Sequence, residues 1–125
     1  MLITILGLLG IMFTHFVSDF LFQTHKMSIM KSKSVKWLSY HVGTYALVTM
    51  ILWFILFPFE MTDGWMWAQV LGITFGTHWI TDYFTSKWTS KLYAKGEVHN
   101  FFVVIGLDQL IHCTTLFMTY YLMIS

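Results

Sequence analysis

Residues 14–20, THFVSDF, lie in an apolar segment and place a histidine and an aspartate four positions apart. Residues 77–83, THWITDY, repeat the pattern, and residues 108–113, DQLIHC, contain it in reverse order. Side chains four positions apart share one face of a helix, so each pair can point at a single place in a helical bundle. The pairs are His15 and Asp19, His78 and Asp82, and Asp108 and His112.

The composition around these pairs is that of a membrane protein. Of 125 residues, 57 % are hydrophobic and 10 % are charged, whereas soluble domains carry about 25 % charged residues. Four apolar segments span about 2–23, 37–59, 65–85 and 101–124, and each is long enough for a membrane-spanning helix, which needs roughly 20 residues. We therefore expect an all-α fold, a single domain over 1–125, with four transmembrane helices in an up-down-up-down bundle.

The lysines predict the orientation of this bundle. All seven basic residues are lysines, and they lie between the first and second segments or between the third and fourth. The positive-inside rule places both connections in the cytoplasm and both termini outside, as expected for a bacterial inner-membrane protein. The net charge of +1 argues against a nucleic-acid partner, which would favour a basic face.

An internal repeat refines the predicted architecture. The Thr-His-x-x-x-Asp-aromatic pattern of 14–20 recurs at 77–83 with a constant offset of 63 positions. We interpret the chain as two pseudo-repeated helical hairpins in parallel orientation, as occurs in other membrane proteins. In this topology the histidine and aspartate pairs lie toward the cytoplasmic ends of their helices.

Three aspartates within apolar spans raise the question of what neutralises them. An ionised carboxylate at bilayer depth costs at least about 2.5 to 3.5 kcal/mol. The apolar segments contain no Lys or Arg, so protonation of the aspartates, protonation of nearby histidines, or a bound cation must compensate. A metal site, a His–Asp proton relay and a polar network that only locks helix packing are the three alternatives, and the first fits the residue types best.

The metal hypothesis assigns roles to particular residues. Seven candidate ligands exceed the needs of one tetrahedral ion, so one or two divalent ions, zinc or manganese/iron, are expected. His41 is a further ligand or a proton shuttle, Asp108 is also a candidate general base, and Gln23 and Gln109 are candidates to orient a carboxylate. The predicted metal ligands are His15, Asp19, His78, Asp82, Asp108 and His112.

The motifs resemble a known family. HFVSDFLFQ at 15–23, HWITDY at 78–83 and DQLIH at 108–112, with the histidine at 41, resemble a family of small bacterial and phage integral membrane proteins catalogued as a domain of unknown function. The resemblance implies four spans and a shared polar core, and it carries no activity. A fainter similarity, resting on residue types, links the chain to inner-membrane metal-dependent hydrolases.

These observations predict a membrane-embedded, metal-dependent hydrolase acting from the cytoplasmic side on an amphiphilic or lipid-phosphate substrate. A bound ion would generate a nucleophile from water and polarise the scissile group. A divalent-cation or proton transporter using the same residues is one alternative, and a non-catalytic phage or bacterial interaction protein is another. Membrane lipid is the expected partner, and a homo-oligomer is compatible with the sequence.

Overall fold

A computed structural model of the chain describes residues 4–58 and 62–125 and confirms the all-α class, with no strand in those ranges. The first predicted segment forms helix α1 and then a π-helical turn, and a short helix α2 precedes the second segment. The predicted limits at 2 and 59, and Glu60, lie outside the described residues. The elements are α1 (Ile5–Phe16), the π-helical turn (Val17–Leu21), α2 (His25–Met30), α3 (Val35–Leu56), α4 (Gly64–Ala94) and α5 (Val98–Ile124).

Two of these helices are long and apolar enough to cross a membrane, namely α3 and α5. The stretch Ile5–Leu21, α1 with its π-helical turn, is apolar but shorter. Helix α4 has 31 residues, but threonines, lysines, His78 and Asp82 lower its hydropathy. The membrane class is therefore supported, and the four-span topology rests on the sequence argument.

Local signals explain where the helices begin and end. Thr4 and Thr24 cap α1 and α2, since each side chain accepts a hydrogen bond from a backbone N–H three residues later. Helix α4 runs to Ala94, well past the predicted end of the third span near 85. It ends before Gly96, whose φ of 72° lies in the left-handed region, and the Glu97 N–H closes the turn on the Leu92 carbonyl at 3.0 Å.

Many polar side chains are buried and many large apolar side chains are exposed, which is unusual for a soluble protein. Helices α1, α3, α4 and α5 pack side by side, and a hydrophobic cluster fills one end of the bundle: Ile11, Trp53, Phe57, Val70, Leu116 and Tyr120. Toward the lysine-rich end, the buried side chains are mainly histidine, aspartate, serine and threonine. Outward-facing apolar residues are about two-thirds exposed, as at Phe54 (64 %), Phe84 (65 %) and Leu110 (64 %). A lipid environment accounts for this pattern.

Candidate metal centre

The seven predicted site residues meet in one place between the helices. Six of them are buried, and the seventh, Asp108, has a side chain that is only 14 % exposed. Three overlapping groups drawn from these residues have ligand atoms within 4.8 Å of one another: Asp19, His78 and His112; His41, His78 and Asp82; and Asp82, Asp108 and His112. The described residues therefore contain a buried His/Asp cluster that could hold a metal ion.

Five distances among four donor atoms of the cluster suit a tetrahedral ligand set, and we call these four atoms the tetrahedron of candidate ligands. The Nε2 atoms of His41 and His78 are 3.2 Å apart, and they lie 3.2 Å and 3.6 Å from Asp82 Oδ2. Asp19 Oδ1 completes the figure at 3.1 Å from His41 Nε2 and 3.4 Å from His78 Nε2. Five of the six edges are thus between 3.1 and 3.6 Å.

These edges match the requirements of a tetrahedral metal site. Zinc binds imidazole nitrogen and carboxylate oxygen at about 2.0 to 2.2 Å, so neighbouring ligands in a tetrahedron lie roughly 3.3 to 3.6 Å apart. Asp19 Oδ1 is buried and accepts no hydrogen bond from the described residues, although two imidazole nitrogens stand near it. A cation at the centre of the four atoms would satisfy that oxygen.

The π-helical turn presents Asp19 to this centre. Asp19 is the middle residue of Val17–Leu21, where the wider i→i+5 turn replaces the α-helical pattern. Its Oδ1 faces His41 and His78 on other helices, while its Oδ2 lies 3.7 Å from His15 Nε2. Such turns occur frequently at functional sites because they redirect a side chain without ending the helix.

His15 lies beside the tetrahedron with both ring nitrogens engaged. Its Nε2 hydrogen-bonds with Gln109 Oε1 at 2.8 Å, and its Nδ1 with the Tyr45 hydroxyl at 3.1 Å. The amide oxygen can only accept, so Nε2 carries the proton and Nδ1 accepts from the hydroxyl. This arrangement leaves no lone pair for a metal, and we therefore treat His15 as a residue that orients Gln109. The Gln109 amide in turn reaches Asp108 Oδ2 at 3.0 Å and Asp19 Oδ2 at 3.4 Å.

His112 and Asp108 extend the cluster from the other side of Asp82. His112 Nε2 lies 2.9 Å from Asp82 Oδ1 and 3.2 Å from Asp108 Oδ1, and the Thr85 hydroxyl also reaches Asp108 Oδ1, at 2.5 Å. The His112 ring stacks on His78 with centroids 4.0 Å apart. In the described ranges the Nδ1 atoms of these two histidines have no hydrogen-bond partner, so the contacts of their Nε2 atoms and the ring stacking orient them.

Lys31 is the charged group that the sequence analysis missed. It was assigned to a cytoplasmic loop, yet its Nζ lies 2.8 Å from Asp82 Oδ2. Burial disfavours the ammonium form, but the nearby Asp82 and Asp19 carboxylates outweigh that cost and raise the pKa of Lys31 above its ordinary value. The assumption that the chain carries no cation for the buried aspartates was therefore wrong. Lys31 lies one residue after the end of α2, and no local sequence pattern predicts its contact with Asp82.

A cavity of about 510 Å³ opens beside the cluster. Asp19, Asp82 and Asp108 line it together with Lys31 and Lys33. Hydroxyl groups of serines and threonines and several apolar side chains form the rest of the wall, including Ser86, Thr89, Phe20, Ile29, Phe101 and Ile105. The cavity thus borders all three carboxylates at the lysine-rich end, and Asp108 is the most exposed of them.

The fold and the cluster define an all-helical protein with two candidate membrane-spanning helices and a buried His/Asp centre. The chain belongs to the family described as "Protein of unknown function (DUF3307)", which matches residues 7–125. This confirms the predicted resemblance to a family of unknown function. No curated protein and no solved structure matched the chain, and the similarity to metal-dependent hydrolases finds no support in these comparisons.

Proposed function

We propose that this protein is a membrane-embedded metal-binding protein that uses one divalent ion, zinc or manganese/iron, to hydrolyse an amphiphilic substrate. The observation that carries the proposal is the spacing of four donor atoms from His41, His78, Asp82 and Asp19: the two imidazole nitrogens lie 3.2 Å apart and 3.1 to 3.6 Å from each carboxylate oxygen, as tetrahedral ligands would. The proposed ligand set revises the sequence hypothesis, because His41 enters it as a ligand rather than a proton shuttle, and His15, Asp108 and His112 are left out of it.

The charges of the cluster favour one ion. Asp19, Asp82 and Asp108 contribute three negative charges when ionised, and Lys31 returns one positive charge through its contact with Asp82. With every imidazole neutral, the two remaining negative charges equal the charge of one divalent ion. A proton on His112, whose Nε2 lies 2.9 Å from Asp82 and 3.2 Å from Asp108, would leave one, so neither state calls for a second ion. A carboxylate oxygen has more than one lone pair, so Asp82 Oδ2 can accept a hydrogen bond from the Lys31 ammonium and bind the ion at the same time.

The cavity supports hydrolysis over simple metal storage. Asp19 lines the cavity, and its Oδ1 is the donor atom without a hydrogen bond from the described residues, so it is the ligand that we expect water or substrate to displace. Asp108 also lines the cavity but is not part of the tetrahedron, and it is the proposed general base. A bound ion would supply a nucleophile from water near neutral pH and polarise the scissile group.

Two features favour an enzyme that works from one side of the membrane over a transporter. The cavity is at the lysine-rich end, which the positive-inside rule makes cytoplasmic. The opposite end of the bundle is filled by the cluster around Trp53, Phe57 and Tyr120, whose residues include no carboxylate or imidazole that could bind a crossing ion. An amphiphilic substrate fits a cavity that combines lysines and hydroxyls with apolar side chains.

Metal content is the first test. Protein purified in detergent and dialysed against metal-free buffer is expected to bind one zinc or manganese ion per chain by mass spectrometry, and Asp82→Asn is expected to bind far less. Asp63→Asn is the matched control, because that residue caps α4 far from the cluster and asparagine caps equally well. Absence of stoichiometric metal in the wild type would overturn the proposal.

Activity is tested on the same protein. Lipid phosphates and carboxylic esters are offered to metal-loaded wild type and to Asp108→Asn, which is expected to keep its metal and lose turnover by about 100-fold or more. In parallel, proteoliposomes report ion flux. Flux that requires Asp108, without turnover of any substrate, would replace the hydrolase with the transporter.

A further inference from the structure

We infer that the cavity binds a phosphate monoester group, held by the Ser86 hydroxyl and the Lys33 ammonium beside the metal centre. This inference rests on the proposed function, because the bound ion sets the charge of the cavity. It narrows the substrate class from amphiphiles in general to those that present a dianionic phosphate.

Ser86 is the first observation. Its side chain lines the cavity and is only 8 % exposed, yet its Oγ has no hydrogen-bond partner among the described residues. Buried helical serines and threonines usually donate to the carbonyl four residues earlier, as Thr85 and Thr89 do on the same wall at 2.9 Å. The Ser86 hydroxyl is therefore free to donate to a ligand in the cavity.

The charge of the cavity is the second observation. Three aspartates and two lysines line it, which gives one net negative charge. One divalent ion converts this to one net positive charge, and since Lys31 is held by Asp82, the lysine available to a ligand is Lys33. The metal-loaded cavity should attract an anion, whereas the metal-free cavity should repel it.

The spacing along α4 connects Ser86 with the metal centre. Ser86 follows Asp82 by four residues, so the two side chains share a face about 6 Å apart along the helix axis. A phosphate oxygen that displaces Asp19 at the fourth position of the tetrahedron would therefore leave other oxygens directed toward Ser86. The apolar side chains of Phe20, Ile29 and Phe101 form another part of the wall, where a hydrocarbon chain would lie.

Calorimetric titration of the metal-loaded protein with inorganic phosphate tests the inference. Ser86→Ala is expected to weaken phosphate binding about tenfold, the loss typical of one hydrogen bond to a charged group, and Lys33→Gln is expected to weaken it less. Removal of the metal should abolish binding. Thr44→Val is the control, since this hydroxyl donates to the Tyr40 carbonyl on an exposed face away from the cavity.

A competition experiment separates the two sources of a phosphate monoester. Phosphate affinity is compared for metal-loaded protein in two kinds of nanodisc. One contains pure phosphatidylcholine, and the other contains phosphatidylcholine with about 10 % phosphatidic acid, an anionic lipid with a phosphate monoester headgroup. If the headgroup is the natural ligand, phosphatidic acid weakens the apparent affinity for added phosphate; if free phosphate is, the two affinities agree. Both results support a phosphate site.

Other outcomes overturn the inference. Equal phosphate affinity of wild type and Ser86→Ala, with unchanged melting temperatures, would remove Ser86 from the site. Metal-loaded wild type that binds phosphate no better than chloride would reject the phosphate class while leaving the metal proposal intact. Failure to load metal, measured on the same samples, would instead reject the proposed function and this inference with it.

Discussion

The His15–Asp19 and His78–Asp82 pairs have the same local sequence pattern and different roles in the structure. The distances within the pairs are nearly equal, with Nε2 to Oδ2 at 3.7 Å in the first and 3.6 Å in the second. His78 nevertheless directs its Nε2 toward His41 at 3.2 Å, whereas both nitrogens of His15 are occupied by neutral partners. The i, i+4 spacing makes two residues neighbours, and residues on other helices decide which of them can bind a metal.

The backbone adds a second difference between the two pairs. His78 and Asp82 lie on the continuous α-helix α4, while His15 lies in the last turn of α1 and Asp19 lies in the π-helical turn that follows. As a result, one carboxylate oxygen of Asp19 meets the histidines of α3 and α4. In the proposed site, therefore, the aspartate of the first pair is a ligand, and the histidine supports the site from outside.

The strongest test of this contrast compares the two histidines directly. His78→Ala removes a ligand, so we expect stoichiometric metal to be lost, with an affinity reduced by more than about 100-fold. His15→Ala removes a partner of Gln109 and of the Tyr45 hydroxyl but no proposed ligand, so we expect about a tenfold reduction, in the lower part of the range for residues that orient ligands. Competition of each variant with a chelator of known affinity measures both effects. Equal losses would show that the two pairs are equivalent and that the tetrahedron is assigned wrongly.

A second test concerns the two carboxylates. Asp82 is contacted by Lys31 at 2.8 Å, whereas Asp19 Oδ1 has no such partner. Lys31→Met should leave a buried carboxylate short of positive charge, and because the lysine is partly exposed we expect a loss of about 2 kcal/mol, below the range for fully buried pairs. This corresponds to a melting temperature lower by about 5 to 10 °C in metal-free protein.

Metal and a neighbouring lysine provide the controls for that test. Bound metal should recover much of the stability lost in Lys31→Met, since the ion replaces the missing positive charge. Lys33→Met, at an exposed position two residues away, should change the metal-free melting temperature by less than about 2 °C. If both variants melted at the wild-type temperature, Lys31 would not be neutralising the cluster.

The helical periodicity of the sequence predicted the cluster because each histidine and aspartate pair is defined by residues one helical turn apart. Asp108 and His112, like His78 and Asp82, are one turn apart on a regular helix, so spacing alone brought each pair to one face. The burial cost of three aspartates then required a compensating charge. Neither the spacing nor the burial cost depends on how distant segments meet, and both predict the cluster in which the structure brings the residues together.

What the sequence could not predict depends on contacts between distant segments. Lys31 reaches Asp82 across 51 positions, and Gln109 reaches His15 across 94, so neither contact has a local signal. No residue pattern in the sequence predicts the π-helical turn either. The extension of α4 to Ala94 is different. No glycine or proline occurs between position 85 and Gly96, so the sequence itself indicates that the helix continues.

The finest test uses Tyr45, which contacts both histidines in different ways. Its hydroxyl donates to His15 Nδ1 at 3.1 Å, while its ring stacks on His78 with centroids 3.8 Å apart. Tyr45→Phe removes the first contact and keeps the second. We expect a loss of about 1 kcal/mol, or roughly 2 to 5 °C in melting temperature, because a buried imidazole nitrogen loses its partner. Metal affinity should change by less than about threefold, because the ring that supports the ligand His78 remains. A loss of metal as large as that in His78→Ala would mean that His15, through its hydroxyl partner, belongs to the metal centre after all.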